Sequence, residues 1–405
     1  MTEQQRSSIL SVISFGLIAC ILYGFGAGMR GDIGILLQPL ANQCSASYAD
    51  VSFCIAVMQI TFGGSQPFFG MLASRQSNRF VLLLGAGIVC ASFVGMAFSR
   101  SFIALLITLG IGFGIGVGAL GFGLILTSSI NYVGADRAMI ISGMLNAAAG
   151  MLGFILSPVI QAMLDAFGTM PTLLLFLIPT VALVPIAFKV SSRDPKPGSL
   201  QDENQNKAAA PMKLTDIRAA FRNRNYLLLI AGFSTCGFHM VIIESHLFNQ
   251  YVLFGIDTTS AAWAFSVYGI ATILGALLSG WLSTRMHKGK LLGFYYGFRA
   301  VWVITFLILM PKNLGFAVLF AIGLGMTGDA TVSPTSGVVS KNFPITQVAT
   351  LIGVLFFCHQ IGAFLSAWCG GIILDATGSY DLIWIVDIAL CCFASIMSLR
   401  IREQN

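Results

Sequence analysis

The stretch GMLASRQSNR, Gly70–Arg79, sets two arginines and a run of hydroxyl and amide side chains between two long apolar segments. A short basic turn flanked in this way reads as a loop joining two membrane helices. Its first part returns 210 residues later as GWLSTR, Gly280–Arg285. LDAFG at Leu164–Gly168 returns at the same offset as LDATG, Leu374–Gly378. IGFGI at Ile111–Ile115 returns after 211 residues as IGLGM, Ile322–Met326. Three echoes in order at nearly one spacing make the chain a tandem repeat of two like halves.

Of 405 residues, 56% are hydrophobic and 9% charged, against about 25% charged in a soluble domain. So few charges cannot cover a soluble surface. Many of the apolar runs, in contrast, suffice to cross ~30 Å of hydrocarbon as helix. Twelve spans are expected, at residues 9–38, 48–73, 80–99, 101–130, 138–163, 170–189, 226–250, 261–283, 290–310, 315–337, 347–373 and 380–399. The fold class that follows is an all-α membrane protein whose twelve transmembrane helices form two pseudo-symmetric six-helix bundles. The bundles are assigned to residues 1–190 and 226–405. Between them the polar segment 191–225, SSRDPKPGSLQDENQNKAAAPMKLTDIRAAFRNRN, reads as a cytoplasmic linker. Its end, Met212–Arg224, is expected as a short helix on the membrane surface.

The start, MTEQQRSSIL, has one arginine, lacks a small-residue cleavage site and runs straight into the first span, which predicts a cytoplasmic N-terminus. With that orientation, 18 of the 22 Lys and Arg fall on the side of the two termini, and only Arg100 and Lys312 in loops on the other. This is the positive-inside bias of a multi-pass protein of the cell (inner) membrane, with N- and C-termini cytoplasmic. The +6 net charge reflects topology, and no nucleic-acid partner is implied. The expected partners are the lipid bilayer and a small-molecule substrate, the protein acting as a monomer. None of the nine cysteines forms a C-x-x-C pair, so neither a disulfide framework nor a metal site is expected. GVGALG at Gly116–Gly121 fits the dinucleotide pattern G-x-G-x-x-G, but no strand precedes it. Close helix packing by small residues accounts for GIGFGIGVGALGFG instead.

Parallel six-helix repeats describe transporters whose binding site lies between the halves, near the membrane midplane. Over essentially its whole length the chain resembles the major facilitator superfamily. GMLASRQSNR resembles the superfamily's loop 2–3 signature, with Ser74 where an acid is usual and Ser77 where glycine is usual. That likeness makes Gly70, Arg75 and their repeats Gly280 and Arg285 the structural and gating positions. YGFGAGMRGDIGILLQP, CGFHMVIIESHL and FFCHQIGAFLSAWCGG are similar to the bacterial branch related to monocarboxylate porters. That branch also has a basic residue in helix 1 where Arg30 stands. Its acid and arginine of helix 8 have no counterpart in AAWAFSVYGIATILGALLSGWL. GFILSPV, Gly153–Val159, is faintly similar to an antiporter motif of helix 5, with Ser157 in place of glycine. The resemblance implies alternating access and a cavity lined by helices 1, 7 and 11.

From Ile9 to Leu37, Arg30 and Asp32 are the only charged side chains. A charge near the bilayer centre costs at least ~2.5–3.5 kcal/mol, so each needs a partner or water. At ~1.5 Å per residue, Arg30 lies about 12 Å below one face, and His239 and His359 about 20 and 18 Å above the other. All three share a central layer, and Gly28-Met29-Arg30 matches Gly237-Phe238-His239 across the repeat. Arg30 is read as the fixed cation that meets an anionic substrate; the alternative is an ion pair with an acid on a neighbouring helix. Asp32, two residues away, cannot be that acid. His239, His359, Gln360, Gln59 and Asn146 are the further substrate-binding candidates, and each could instead bond a neighbouring helix. His246 shares a face with His239, nearer the far surface. If protons are coupled, the candidates are Glu244, His239, Asp32 and His359. Asp387, like Glu244 and Asp32, lies in the outer half of its helix, open either to a proton or to a vestibule. Arg299 and Asp329 lie at similar height and are expected to form a structural pair. No ATP-binding motif or nucleophile–base constellation appears, so neither an enzyme nor a cofactor is expected. The function that follows is secondary active transport, as a symporter if protons are coupled, of a small organic anion such as a monocarboxylate. The alternative is a proton-driven exporter of amphipathic drugs or metabolites.

Overall fold

A computed structural model describes residues 3–134, 138–194, 218–343 and 345–402 of the chain. Six long helices form the first half: α1 (Glu3–Gly31), α2 (Tyr48–Arg75), α3 (Asn78–Phe98), α4 (Phe102–Val133), α5 (Ala138–Phe167) and α6 (Thr169–Val190). Six more form the second: α7 (Arg224–Leu253), α8 (Thr258–Ser283), α9 (Lys288–Ile308), α10 (Leu314–Asn342), α11 (Ile345–Thr377) and α12 (Asp381–Leu399). Eleven are long and apolar enough to cross a membrane. α2 is the twelfth, and Gln59, Thr61, Ser65, Gln66 and Pro67 dilute its apolar content. All twelve expected spans are therefore present. The expected first span, 9–38, ends earlier: α1 stops at Gly31, and a 3₁₀ turn, Ile33–Leu36, leads into a short helix, Leu37–Cys44. Of the expected surface helix, residues 212–217 lie outside the described residues.

Polar side chains begin these helices. Ser47 and Asp50 form a reciprocal capping box at α2, and Ser77, Ser101, Asn223, Asp257, His287 and Asn313 each accept from the third residue after them. Each satisfies one of the free N–H groups that a helix start leaves. Within the spans the backbone bonds itself, as hydrocarbon requires. Two stretches widen into π turns, Leu106–Phe113 in α4 and Ile243–Leu247 in α7. α10 breaks between Thr327 and Val332, with a 3₁₀ turn at Asp329–Thr331. The glycine run of α4 lets it lie against α2, with Gly114 on the Met58 backbone and Gly118 on Phe62. That is the packing role expected of it.

In the first half α1 packs on α5; in the second α7 packs on α11 and α12, and α8 on α10. The seam between the halves consists of α2 on α11 and α5 on α8. The 210-residue repeat carries α2 onto α8 and α5 onto α11, so each seam pair is the image of the other. Where α5 crosses α8, Gly150 and Gly269 face each other, and a Cβ on either would strike the other's backbone. Arg79 with Ser191, Arg193 with Tyr132, and Asn225 with Asn342 and Arg402 lie on the face that carries the termini. On the opposite, far face the halves are joined. Asp375 of α11 accepts from the Ala49 N–H at the start of α2 (2.7 Å), and Asp165 of α5 accepts from the Thr259 hydroxyl at the start of α8 (3.3 Å). There the turn after α1 also packs against the π turn of α7, Gly34 lying on the Glu244 and Ser245 carbonyls. α4 and α10, related by the repeat as α1 and α7 are, have no comparable contact at the terminus face among the described residues. The molecule is closed on the far face and parted on the face of the termini.

Candidate functional site

Arg30, at the last turn of α1, reaches across the seam to Glu244 in the π turn of α7. Its two terminal nitrogens donate to the two carboxylate oxygens at 2.8 and 3.2 Å. Nη1 also donates to Gln59 Oε1 of α2 at 2.9 Å, and Gln59 Nε2 donates to Glu244 at 3.3 Å. Gln360 of α11 donates to the Gln59 backbone carbonyl at 3.0 Å, and His359 Nδ1 lies 3.0 Å from Gln360 Oε1. The ring of Phe62 lies 5.0 Å from the guanidinium. One hydrogen-bonded chain thus runs from α1 through α2 and α7 to α11, at the level where the halves meet. It is not sealed: the Arg30 side chain is 19% exposed, and His359 is partly exposed.

Arg30, Gln59, Glu244, His359 and Gln360 are therefore brought together. The alternative reading of Arg30, an ion pair with an acid on a neighbouring helix, describes its contacts in this conformation. The acid comes from the other half. Only the helix-to-helix arrangement could reveal that, although the sequence had placed both residues in the membrane. The π turn is part of the reason, since an extra residue in a turn rotates the following side chains off the regular register.

His239 is placed elsewhere. It is fully buried inside the second half, with Nδ1 2.8 Å from Asp387 of α12. Cys391 Sγ lies 3.9 Å from that nitrogen and 3.7 Å from the carboxylate. The three donor atoms converge closely enough for a cation, yet Nδ1 and the carboxylate already bond each other, while Nε2 is buried without a partner among the described residues. This corrects the expectation that His239 meets substrate: in this conformation it is closed off from the seam. Asp387 likewise faces no vestibule. His246 bonds the Ala367 carbonyl at 2.9 Å, the plain structural role open to it from the sequence. Asp32 is buried between α1 and α5, beside Gly153 and Ser157, one carboxylate oxygen lacking a partner among the described residues. Asn146 is exposed one turn from Gly150, on the α5 face that meets α8, where the seam opens toward the termini.

The expected Arg299–Asp329 pair does not form. Arg299 is fully buried and donates to the Gly328 carbonyl at 2.8 Å, to the Thr327 carbonyl and hydroxyl, and to Cys236 Sγ at 3.2 Å. The break in α10 leaves carbonyls without helical partners, and the guanidinium takes them up. Equal height in the membrane says nothing about which way a side chain points round its helix, and Asp329 points elsewhere. It is partly exposed and accepts no hydrogen bond from a described residue. Its charged and titratable neighbours are Arg30, Glu244, His359 and Cys236, with Tyr23 and Tyr268. Among the described residues the expected gating positions make no bond across the seam. Gly70 has open space about it, Arg75 is exposed, and Arg285 lies over Trp281 of its own helix at 4.2 Å.

The family model described as Major Facilitator Superfamily matches residues 15–253 and 250–405. The uncharacterized MFS-type transporter YcxA of Bacillus subtilis (strain 168) is 27% identical over 95% of this chain and 94% of its own length. Human monocarboxylate transporter 12 is 22% identical over 90% of this chain and 75% of its own. Monocarboxylate transporter 4 of Rattus norvegicus is 23% identical over 95% and 81%. Among solved structures, a point mutant of the nucleoside transporter NupG superposes with a TM-score of 0.78 at 14% identity, covering 96% of this chain and all of that one. That last likeness concerns the fold alone. With two six-helix halves, a polar constellation at their seam and a family match over nearly the whole length, this chain belongs to the major facilitator superfamily of membrane transporters.

Proposed function

We propose that the chain is a secondary active transporter of a small organic anion, a monocarboxylate in the first instance, working by alternating access and coupled to protons at Glu244. The observation that carries this reading is the forked Arg30–Glu244 pair across the seam. Guanidinium binds carboxylate in this two-pronged way, so the Glu244 carboxylate occupies the position a substrate carboxylate would take. Two anions cannot share one fork. Protonation of Glu244 removes its charge and frees Arg30, and the anion then binds while the proton rides on Glu244. One anion and one proton cross together without net charge. Arg30 from α1 and Gln59 from α2 bond Glu244, and Tyr23 and Asp32 from α1, Tyr268 from α8 and Asp329 from α10 are near enough to act on its charge. Arg30 is the cation among them. The names of the monocarboxylate transporters among the relatives support the substrate class.

The test is flux of labelled pyruvate, lactate and benzoate in vesicles carrying the full-length protein. Binding requires protonated Glu244, so apparent affinity should rise as pH falls on the binding side. A pH gradient should drive accumulation. Glu244→Gln should keep exchange, lose gradient-driven accumulation and flatten the pH dependence. Arg30→Ala should abolish saturable transport, and Arg30→Lys should retain little. Normal kinetics in Arg30→Ala would refute the anion reading. Flux of cationic amphiphiles but not of carboxylates would put the exporter reading in its place.

A further inference from the structure

Resting on that reading, we propose that the substrate also carries a positive group, and that Asp329 holds it: the site takes zwitterions whose carboxylate lies on Arg30 and whose ammonium or guanidinium lies on Asp329. Asp329 is an intramembrane carboxylate with no bonded partner among the described residues. Such a group is expensive to keep and marks function. The one cation that sequence height had offered it, Arg299, is consumed by the carbonyls at the α10 break. That same break is a 3₁₀ turn directly after Gly328, and Asp329, its first residue, is partly exposed. Gly328 itself stays packed close to the Tyr268 hydroxyl. Arg30, Glu244 and His359 are near enough for their charges to act on the Asp329 carboxylate. Arg30 is forked on Glu244, and Asp329 is a second acid within reach of that pair. A simple monocarboxylate takes Arg30 while Glu244 carries its proton, and leaves Asp329 unmatched. A zwitterion gives each end an opposite charge: its carboxylate takes the Arg30 fork, and its cation sits beside Asp329 with Glu244 nearby.

The test is thermal unfolding of purified full-length protein with matched probes that differ only in the amino group: leucine against 4-methylpentanoate, phenylalanine against 3-phenylpropanoate, and 4-aminobutanoate against butanoate. Ligands that bind only the folded state raise its unfolding temperature. At least one amino acid should stabilise the wild type more than its des-amino partner does. Asp329→Asn should erase that preference, by roughly tenfold or more in apparent affinity, while still binding the des-amino acid. Arg30→Ala should lose both members of the pair. If every des-amino carboxylate binds at least as well as its amino acid, or if no amino acid binds, the zwitterion proposal is overturned and the anion reading is judged on the carboxylates alone. Retention of the preference by Asp329→Asn also overturns it. Binding of cationic amphiphiles with no response to any carboxylate would overturn both.

Discussion

At the scale of single residues, the two intramembrane arginines of this transporter have opposite employments. Arg30 is partly exposed and holds an acid from the other half of the molecule, so its contacts can be exchanged. Arg299 is sealed and bound to backbone carbonyls, so its contacts hold α10 in its broken shape. Arg299→Ala should therefore lower the unfolding free energy by about 2–5 kcal/mol, because each stranded carbonyl costs ~1–3 kcal/mol. Asp329→Ala should change it by less than about 1 kcal/mol, having no partner to strand. In a double-mutant cycle the two changes should add. Recovery of stability in the double variant would restore the direct pair that the contacts argue against. The His239–Asp387 pair makes a parallel case. Asp387→Ala leaves a buried imidazole alone and should cost ~3–5 kcal/mol. The apparent affinity of whatever protein still folds should stay unchanged, a loss of affinity marking a substrate role after all.

At the scale of elements, the repeat explains how the far face is closed. Asp165 and Asp375 are the acids of the LDAFG and LDATG echoes, and they act on Thr259 and Ala49, which are themselves 210 residues apart. Each carboxylate sits at the N-terminal turn of a helix in the other half. There the free N–H groups and the positive end of the helix dipole favour an anion by ~0.3–1 kcal/mol. Both latches should release together as the far face opens. Replacing both acids by asparagine removes the charge while keeping the shape, and should shift the balance toward the far-open state by roughly 3- to 30-fold. Spin labels introduced at Asn42 and Asp381 in a cysteine-free background would read this as a larger share of long distances. An unchanged distribution would leave the bonds as incidental surface contacts.

At the scale of the whole molecule, the seam closed on the far face and parted on the face of the termini is one end of an alternating cycle. The Lys and Arg distribution predicts that the termini are cytoplasmic. A protease site introduced into the linker, residues 195–217, should be cut in inverted vesicles and protected in intact cells. The reverse pattern would turn the topology over. At the Gly150–Gly269 crossing the halves touch backbone to backbone. The crossing is close to the midplane, so opening at either face must pivot near it. Gly269→Leu should force the two halves apart there and cut transport at least tenfold, a loss of about 1.4 kcal/mol or more. Flux in vesicles, normalised to folded protein, checks this.

Composition and periodicity by themselves determined the membrane class, the twelve helices and the two-fold repeat. Each of these follows from the thickness of hydrocarbon and from backbone groups that must bond within their own helix, and neither condition depends on which helix neighbours which. Capping residues such as Ser47, Asp257 and Asn313 marked the helix starts for the same local reason. Depth was legible too, since a fixed rise per residue put Arg30, His239 and His359 in one layer. The partner of each charge was not legible. Arg30 with Glu244, His239 with Asp387 and Arg299 with the α10 carbonyls all depend on azimuth round the helix and on which helices meet. The π turn of α7 and the break in α10 alter that azimuth through contacts that no single segment contains. Only the assembled helices could leave Asp329 unpartnered among the described residues, beside Arg30 and Glu244, because a charge in a membrane is defined by what surrounds it.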